Sequence, residues 1–339
     1  MSKIFVLGYF GLNTNQLDGQ TIKTRDIYRL ACEQQDNVSY YDTEDFKYNK
    51  FSILKMFWNI IICKTLIYLP AHNNLKVIFP IIFLISKLFR VRIHYFVVGG
   101  WLSEYISSLW MHRLMLKKIS GVHVETHKLK NELMHEYQFM NVDIFPNFRY
   151  FDTTFKPKVT TRVDQLKVVF VSRVEQSKGL DTLVNVANVI EQQHLNTSIT
   201  FDFYGQLRDD YYQRFMTSYK CFTYKGVLQP DEVMSTLRKY DVLIFPTHYS
   251  GEGCPGILVE AMAVGLPIVA SDWKYNNEFV RDGLNGFLCE VYNHNSYFMA
   301  LTELQKNPKL RDEMSVNSLK MSKYFSAEYA KDLMKLIIG

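Results

Sequence analysis

Short runs of β-branched and aromatic residues alternate with longer stretches of helical periodicity, and the cycle passes through this chain twice. Near the start, KIFVLGYF has the pattern of a strand and GQTIKTRDIYRLACEQ that of a helix, and TLIYL, RIHYFVV, GVHVE and VDIF are further strand candidates. A polar, Thr-rich segment, YFDTTFKPKVTTRVDQ, interrupts the cycle. It then restarts with LKVVFVS and helical GLDTLVNVANVIEQ, followed by ITFDFYG, FTYKG, DVLIFP and PIVAS. Strands alternating with helices of this length build parallel sheets covered on both faces. The expected fold class is α/β, with two doubly wound, Rossmann-like domains over residues 1–152 and 165–320 and a linker near 150–165. The sequence from about Asn293 to Ile338 is helical throughout, and its last part, 321–339, is expected to pack back on the first domain. With 339 residues, each domain can bury a full core. Ligands of such sheets bind at the carboxyl ends of the strands, which places the expected site in a cleft between the two domains.

Charge narrows the function classes. The net charge of +5 sits in the first half, where residues 1–150 carry 18 Lys and Arg against 12 Asp and Glu. Phe46 to Ser103 holds eight bases and no acid, and it is also the most apolar part of the chain. Its uncharged runs are too short for the ~20 residues of a spanning helix. Its bases are interleaved with aliphatics rather than polar residues, which argues against nucleic acid. The five cysteines form no C-x-x-C pair, so a reduced, cytoplasmic chain without a thiolate metal site is expected. His123 and His127 are four apart, but GVHVE reads as a strand, which does not align them for a metal. GYFGLNTN lacks the G-x-G-x-x-G of a nicotinamide dehydrogenase.

The stretch SGEGCPGILVEAMAVGLPIVASD carries the chemistry. Pro255 and Gly256 suit a helix start, and Gly265 with Pro267 suits its end. Glu252 then precedes the first turn and Glu260 lies about one turn in. A helix N-terminus attracts anions, and the backbone N–H groups of Gly256, Ile257 and Leu258 are the ones offered, with Gly253 in the loop before them. Arg173 follows the strand VVFVS, and Lys178 stands at the start of the next helix. Gly205 ends ITFDFYG, where the chain can turn closely around a flat ring. Two cations and a helix start suit a diphosphate, whereas two carboxylates suit sugar hydroxyls. A sugar joined to a diphosphate satisfies both.

Glu252-x7-Glu260, with SRVEQSKGLDTLVNVA, DVLIFPT, LVEAMAVGLPIVASD and DGLNGFL, resembles the retaining, GT-B-fold glycosyltransferases of family 4, also called group 1. The resemblance is strong over about 165–290. It implies two Rossmann-like domains facing across a cleft, a nucleotide-diphosphate sugar as donor and a saccharide acceptor. It also implies that Arg173 and Lys178 bind the diphosphate, that Glu252 contacts the donor sugar and that Glu260 contacts the ribose. Stabilising the leaving group with Arg173, Lys178 and a helix start makes a metal unnecessary, so neither metal nor cofactor is expected.

The first half resembles the family more loosely. Gly19 and Gln20 stand where members carry a glycine-rich turn near the donor phosphates. Gly99, Gly100 and Trp101 stand where many members carry a histidine, and His94 lies in the preceding strand, so that role does not transfer. The acid-free span predicts docking on an anionic membrane, with Lys47, Lys50, Lys55 and Lys64 at headgroups and Phe57 and Trp58 in the interface, presenting a lipid-linked acceptor for surface polysaccharide synthesis. Two other readings use the same residues: an epimerase or hydrolase of nucleotide sugars, and a binding module without turnover.

Overall fold

Ile4–Gly8 (β1) is buried at every position, and an all-apolar run of this length is what the centre of a parallel sheet requires. The computed structural model describes residues 4–70, 72–157, 164–208 and 210–339. The chain divides into two compact units, one running to Arg149 and including Tyr324–Gly339, the other Tyr150–Lys323. Part of the expected linker, residues 158–163, lies outside the described residues.

In the first unit β1 is joined by Val38–Asp42 (β2), Thr65–Leu69 (β3), Arg92–Phe96 (β4), Gly121–Val124 (β5) and Val142–Ile144 (β6). The order is β2-β1-β3-β4-β5-β6, and every pairing is parallel. Crossovers between parallel strands are right-handed. The connection β1 to β2 runs one way across the sheet, and those from β2 onward run the other. Helix Gly19–Gln34 therefore covers one face, while Ser52–Ile62, Phe79–Phe89 and Trp110–Leu116 share the opposite face. Asp18 caps the first of these, accepting from the Thr21 N–H at 2.9 Å. The C-terminal helix Ala327–Ile338 packs on Gly19–Gln34. Its approach is fixed by a short parallel bridge, in which the Arg149 N–H donates to Phe325 O at 2.9 Å and the Ala327 N–H to Arg149 O at 3.0 Å.

The second unit repeats the plan with Leu166–Val171 (β7), Ile199–Tyr204 (β8), Phe222–Tyr224 (β9), Val242–Phe245 (β10), Ile268–Ser271 (β11) and Gly286–Cys289 (β12), in the order β12-β11-β10-β7-β8-β9. Inward residues of β7, β8 and β9 meet as rings: Phe203 lies 5.4 Å from Phe170 and 4.8 Å from Phe222. Strand order reverses between β7 and β10. The chain leaves β7 toward β8 and β9 on one side, and leaves β10 toward β11 and β12 on the other. That is the switch point at which doubly wound sheets open a crevice at their carboxyl ends.

Candidate functional site

Two residues beyond β7 the chain reaches Arg173, and a single tight turn, Gln176–Lys178, then leads into helix Leu180–Gln192. Gly179 makes that turn possible. Its φ is +85°, and a Cβ there would fall 2.1 Å from the carbonyl oxygen of Pro246. The turn is thus pressed against the end of β10, and the His248 N–H donates to Ser177 O at 2.9 Å to hold it there. Lys178 is consequently buried, at 7% exposure, beside the loop that follows β10.

That loop supplies its partner. Lys178 Nζ donates to Glu252 Oε1 in a buried ion pair. Thr247, fully buried, donates its hydroxyl to the same oxygen at 3.0 Å. Its own carbonyl accepts from Ser271 Oγ at the end of β11, and Asn276 Nδ2 donates to Ser271 O at 3.0 Å. The Tyr249 ring lies under both cations, 4.5 Å from Lys178 Nζ and 5.4 Å from the Arg173 guanidinium. Trp273 Nε1 donates to Tyr249 O at 2.8 Å, which fixes the ring's backbone. Arg173, more exposed, pairs with Glu175 at 3.3 Å. Burial, with the Lys178 cation beside it, holds the His248 imidazole below its ordinary value, although Asp181 opposes the shift.

Arg173 and Lys178, expected at a diphosphate, and Glu252, expected at a sugar, thus form one cluster. Its two cations are balanced by Glu175 and Glu252. An anion entering the crevice can take the place of either carboxylate, and Glu252 Oε1 is then released toward hydroxyl donors. A buried pair of this kind holds its geometry because either charge left alone is costly.

Helix Gly256–Ala263 begins after Pro255 with no side-chain cap. Sequence reasoning offered three amides there. One is already used: Leu258 N–H donates to Pro255 O at 3.1 Å, because the first turn is tight. Gly256 and Ile257 are the two left for a ligand. Gly253 is buried in the loop, and Glu260 lies half-buried one turn into the helix. Gly205 proves to be demanded by the backbone itself. With φ at +139°, a Cβ would fall 1.7 Å from Ser172 O, so the ends of β7 and β8 can meet only at a glycine.

The remaining candidates belong to the first unit. Gly19 is the first residue of helix Gly19–Gln34 with open space around it, and Gln20 follows it, half-buried. Gly99, at φ +83°, and Gly100 lie beyond β4. Lys23 of that helix donates to Val97 O at 2.8 Å and pairs with Glu125 just past β5, tying these segments to one sheet edge. Nearby, His94 Nδ1 and His123 Nε2 share a hydrogen bond of 3.0 Å, in space kept open by Gly121. Burial, with Arg92 adding, lowers His94 to about 4; burial, then His94 and Lys23, lowers His123 to about 3. Among the described residues no group of three or more His, Cys, Asp or Glu could hold a metal ion.

The family model described as "Glycosyl transferases group 1" matches residues 151–321, half of the chain. The chain belongs to this family. It is 23% identical over 186 residues, 51% of this chain and 45% of the relative, to the D-inositol 3-phosphate glycosyltransferase of Paenarthrobacter aurescens. It is 27% identical over 130 residues, 37% of this chain and 32% of the relative, to the amylovoran biosynthesis glycosyltransferase AmsK of Erwinia amylovora. The chain thus spans less than half the length of either curated relative. Anabaena HepE, solved in complex with UDP-glucose, superposes with a TM-score of 0.75 at 14% identity, covering 99% of this chain and 98% of that one. The fold of this group 1 member is GT-B. Thr247, Tyr249 and Gly179 are the site residues that sequence reasoning missed, and only SKG, a glycine directly after the site lysine, hinted at one of them.

Proposed function

We propose that this chain moves a sugar, with retention, from a nucleotide-diphosphate sugar to a saccharide acceptor carried on a lipid, in the synthesis of a bacterial surface polysaccharide. One observation carries the reading: the buried Lys178–Glu252 pair, with Arg173 over the shared Tyr249 ring, sits at the switch point of β7 and β10. Arg173, Lys178 and the amides of Gly256 and Ile257 take up the charge that grows on the departing nucleotide diphosphate. Glu252 accepts from hydroxyls of the transferred sugar and Glu260 from the ribose. The bond from the anomeric carbon to the diphosphate breaks through an oxocarbenium-like state. The acceptor oxygen bonds on the same face, and its proton leaves on the diphosphate. The two cations supply the positive charge, so no divalent metal is required. The names of AmsK and of HepE's bound UDP-glucose support a polysaccharide role and a nucleotide-sugar donor. A lipid-linked acceptor calls for attachment at the membrane surface; no helix of the described residues is long and apolar enough to cross a membrane.

Thermal stabilisation by UDP, GDP, ADP and dTDP tests the donor site: the right nucleotide at ~100 times its Kd adds about 2.7 kcal/mol. No response to any of the four removes the reading. With the donor known, proton NMR of the first product gives the anomeric outcome. Turnover is expected to survive chelation, and loss in EDTA with recovery in Mg²⁺ would overturn the metal-free step.

A further inference from the structure

The shared face of the first unit's sheet, built by Ser52–Ile62, Phe79–Phe89 and Trp110–Leu116, turns large apolar side chains outward. Trp58 is 63% exposed, Leu84 67%, Leu88 77% and Trp110 60%, and Leu54 and Leu114 are exposed with them. Each helix already buries a stripe: Met56 and Ile60, Phe79 and Ile82, His112 and Leu116. The outward residues therefore form a second apolar stripe that the sheet does not need. The helices are neighbours. Ser52–Ile62 packs on Phe79–Phe89, the His112 ring bonds Lys76 O at 3.0 Å, and Lys87 Nζ donates to Lys118 O at 2.7 Å. Exposed apolar surface gathered on one face marks an interaction site.

Charge decides the occupant. From Phe46 to Ser120 the chain holds eleven Lys and Arg and one acid, Glu104. A second copy of this chain would set those bases against one another, whereas an anionic lipid surface neutralises them and also receives the apolar side chains. We propose that this three-helix face seats on an anionic bilayer, with Trp58, Leu84, Leu88 and Trp110 in the interface and Lys50, Lys55, Lys64 and Lys76 at its headgroups. The attachment rests on the acceptor reading above, but it is carried by different residues. It also revises the sequence-based choice of anchors. Phe57 is half-buried and Lys47 lies over the Tyr9 ring, 5.4 Å from its centroid, while Leu84, Leu88 and Trp110 enter from two helices further along.

Co-sedimentation tests it, using vesicles of phosphatidylcholine with or without phosphatidylglycerol at low and high salt. The protein is expected to pellet with anionic vesicles at low salt and to remain in solution with neutral ones. Leu84→Glu/Leu88→Glu is expected to lower the bound fraction at least ~tenfold. Lys50→Glu/Lys55→Glu, a check should the first variant misfold, is expected to do so by a similar factor. Failure of the parent protein to pellet with anionic vesicles, a dimer formed through this face in their place, or unchanged binding by both variants would overturn the proposal. Nucleoside-diphosphate stabilisation, measured on the same samples, separates the two readings. Nucleotide binding without vesicle binding ends only the docking; vesicle binding without any nucleotide response ends only the transferase assignment.

Discussion

Glu252 is the partner of a buried ammonium and also the carboxylate proposed to contact the transferred sugar, so its removal has two separable effects. Glu252→Ala leaves Lys178 buried and unpaired, a loss of about 3 kcal/mol by the measure of broken buried pairs. A nucleoside diphosphate can then replace the missing charge. The nucleotide-induced rise in Tm is therefore expected to be larger in Glu252→Ala than in the parent, while turnover falls on the order of 10²-fold or more. Scanning fluorimetry with initial rates checks both, and an equal or smaller rise in Tm would show that the pair does not open for the ligand. Thr247→Val removes the second donor to Glu252 Oε1. It should cost about 1.5 kcal/mol and lower kcat with little change in KM, whereas Thr247→Ser should behave as the parent. Arg173, Lys178 and Glu252 were legible from their charge and their place around two strand ends and a glycine-rich helix start, and the structure brings their side chains together. Thr247 and Tyr249 were not. A threonine and a tyrosine in a loop look like any others until β10 lies beside β7 and brings them to Lys178.

Ten of the twelve strands among the described residues stand out in the sequence as short apolar or β-branched runs, and the helix expected to start at Gly256 and end before Gly265 forms as Gly256–Ala263. The two missed strands, β2 and β12, are the edges adjoining β1 and β11. Edge position alone is not the reason, since β6 and β9 are the opposite edges and were read; VSYYD mixes polar with aromatic residues, and GFLC is four residues long, opens on a glycine and holds no β-branched residue. Gly179 shows how one element positions another. Gly179→Ala must either hold an alanine at φ +85° or push the turn away from Pro246 O, and both carry Lys178 out of place. Loss of more than ~2 kcal/mol and a nucleotide Kd raised at least ~tenfold are expected, read from Tm and from calorimetric titration. An alanine variant with parent-like affinity would mean that Lys178 is seated by the loop alone.

Across the whole molecule, the two units bury unlike polar groups and should respond unlike to acid. His94 and His123 lie in the first unit, and their folded values of about 4 and about 3 are below the ~6.5 of an unfolded histidine. The stability they contribute is full above pH 6.5 and is lost as pH falls toward those folded values. The first unit is therefore expected to melt progressively earlier between pH 7 and pH 5. The second unit holds one imidazole lowered by burial, His248, against the first unit's two, so its transition is expected to fall less. Tryptophan fluorescence can follow the divergence, since Trp58, Trp101 and Trp110 report the first unit and Trp273 the second. A parallel fall of both transitions, or a fall that persists in His94→Gln/His123→Gln, would remove the imidazole pair as the cause.

The return of Tyr324–Gly339 to the first unit has a consequence for biosynthesis. Domains in most multidomain chains finish in the order in which they leave the ribosome. Here the nascent first unit must wait, because helix Gly19–Gln34 lacks the apolar cover of Ala330 and Met334, and Arg149 lacks its bridge to Phe325 and Ala327. The unit that carries the proposed nucleotide crevice is complete in sequence by Lys323, before Tyr324–Gly339 supply that cover. Of the two units, the one that begins first is completed second.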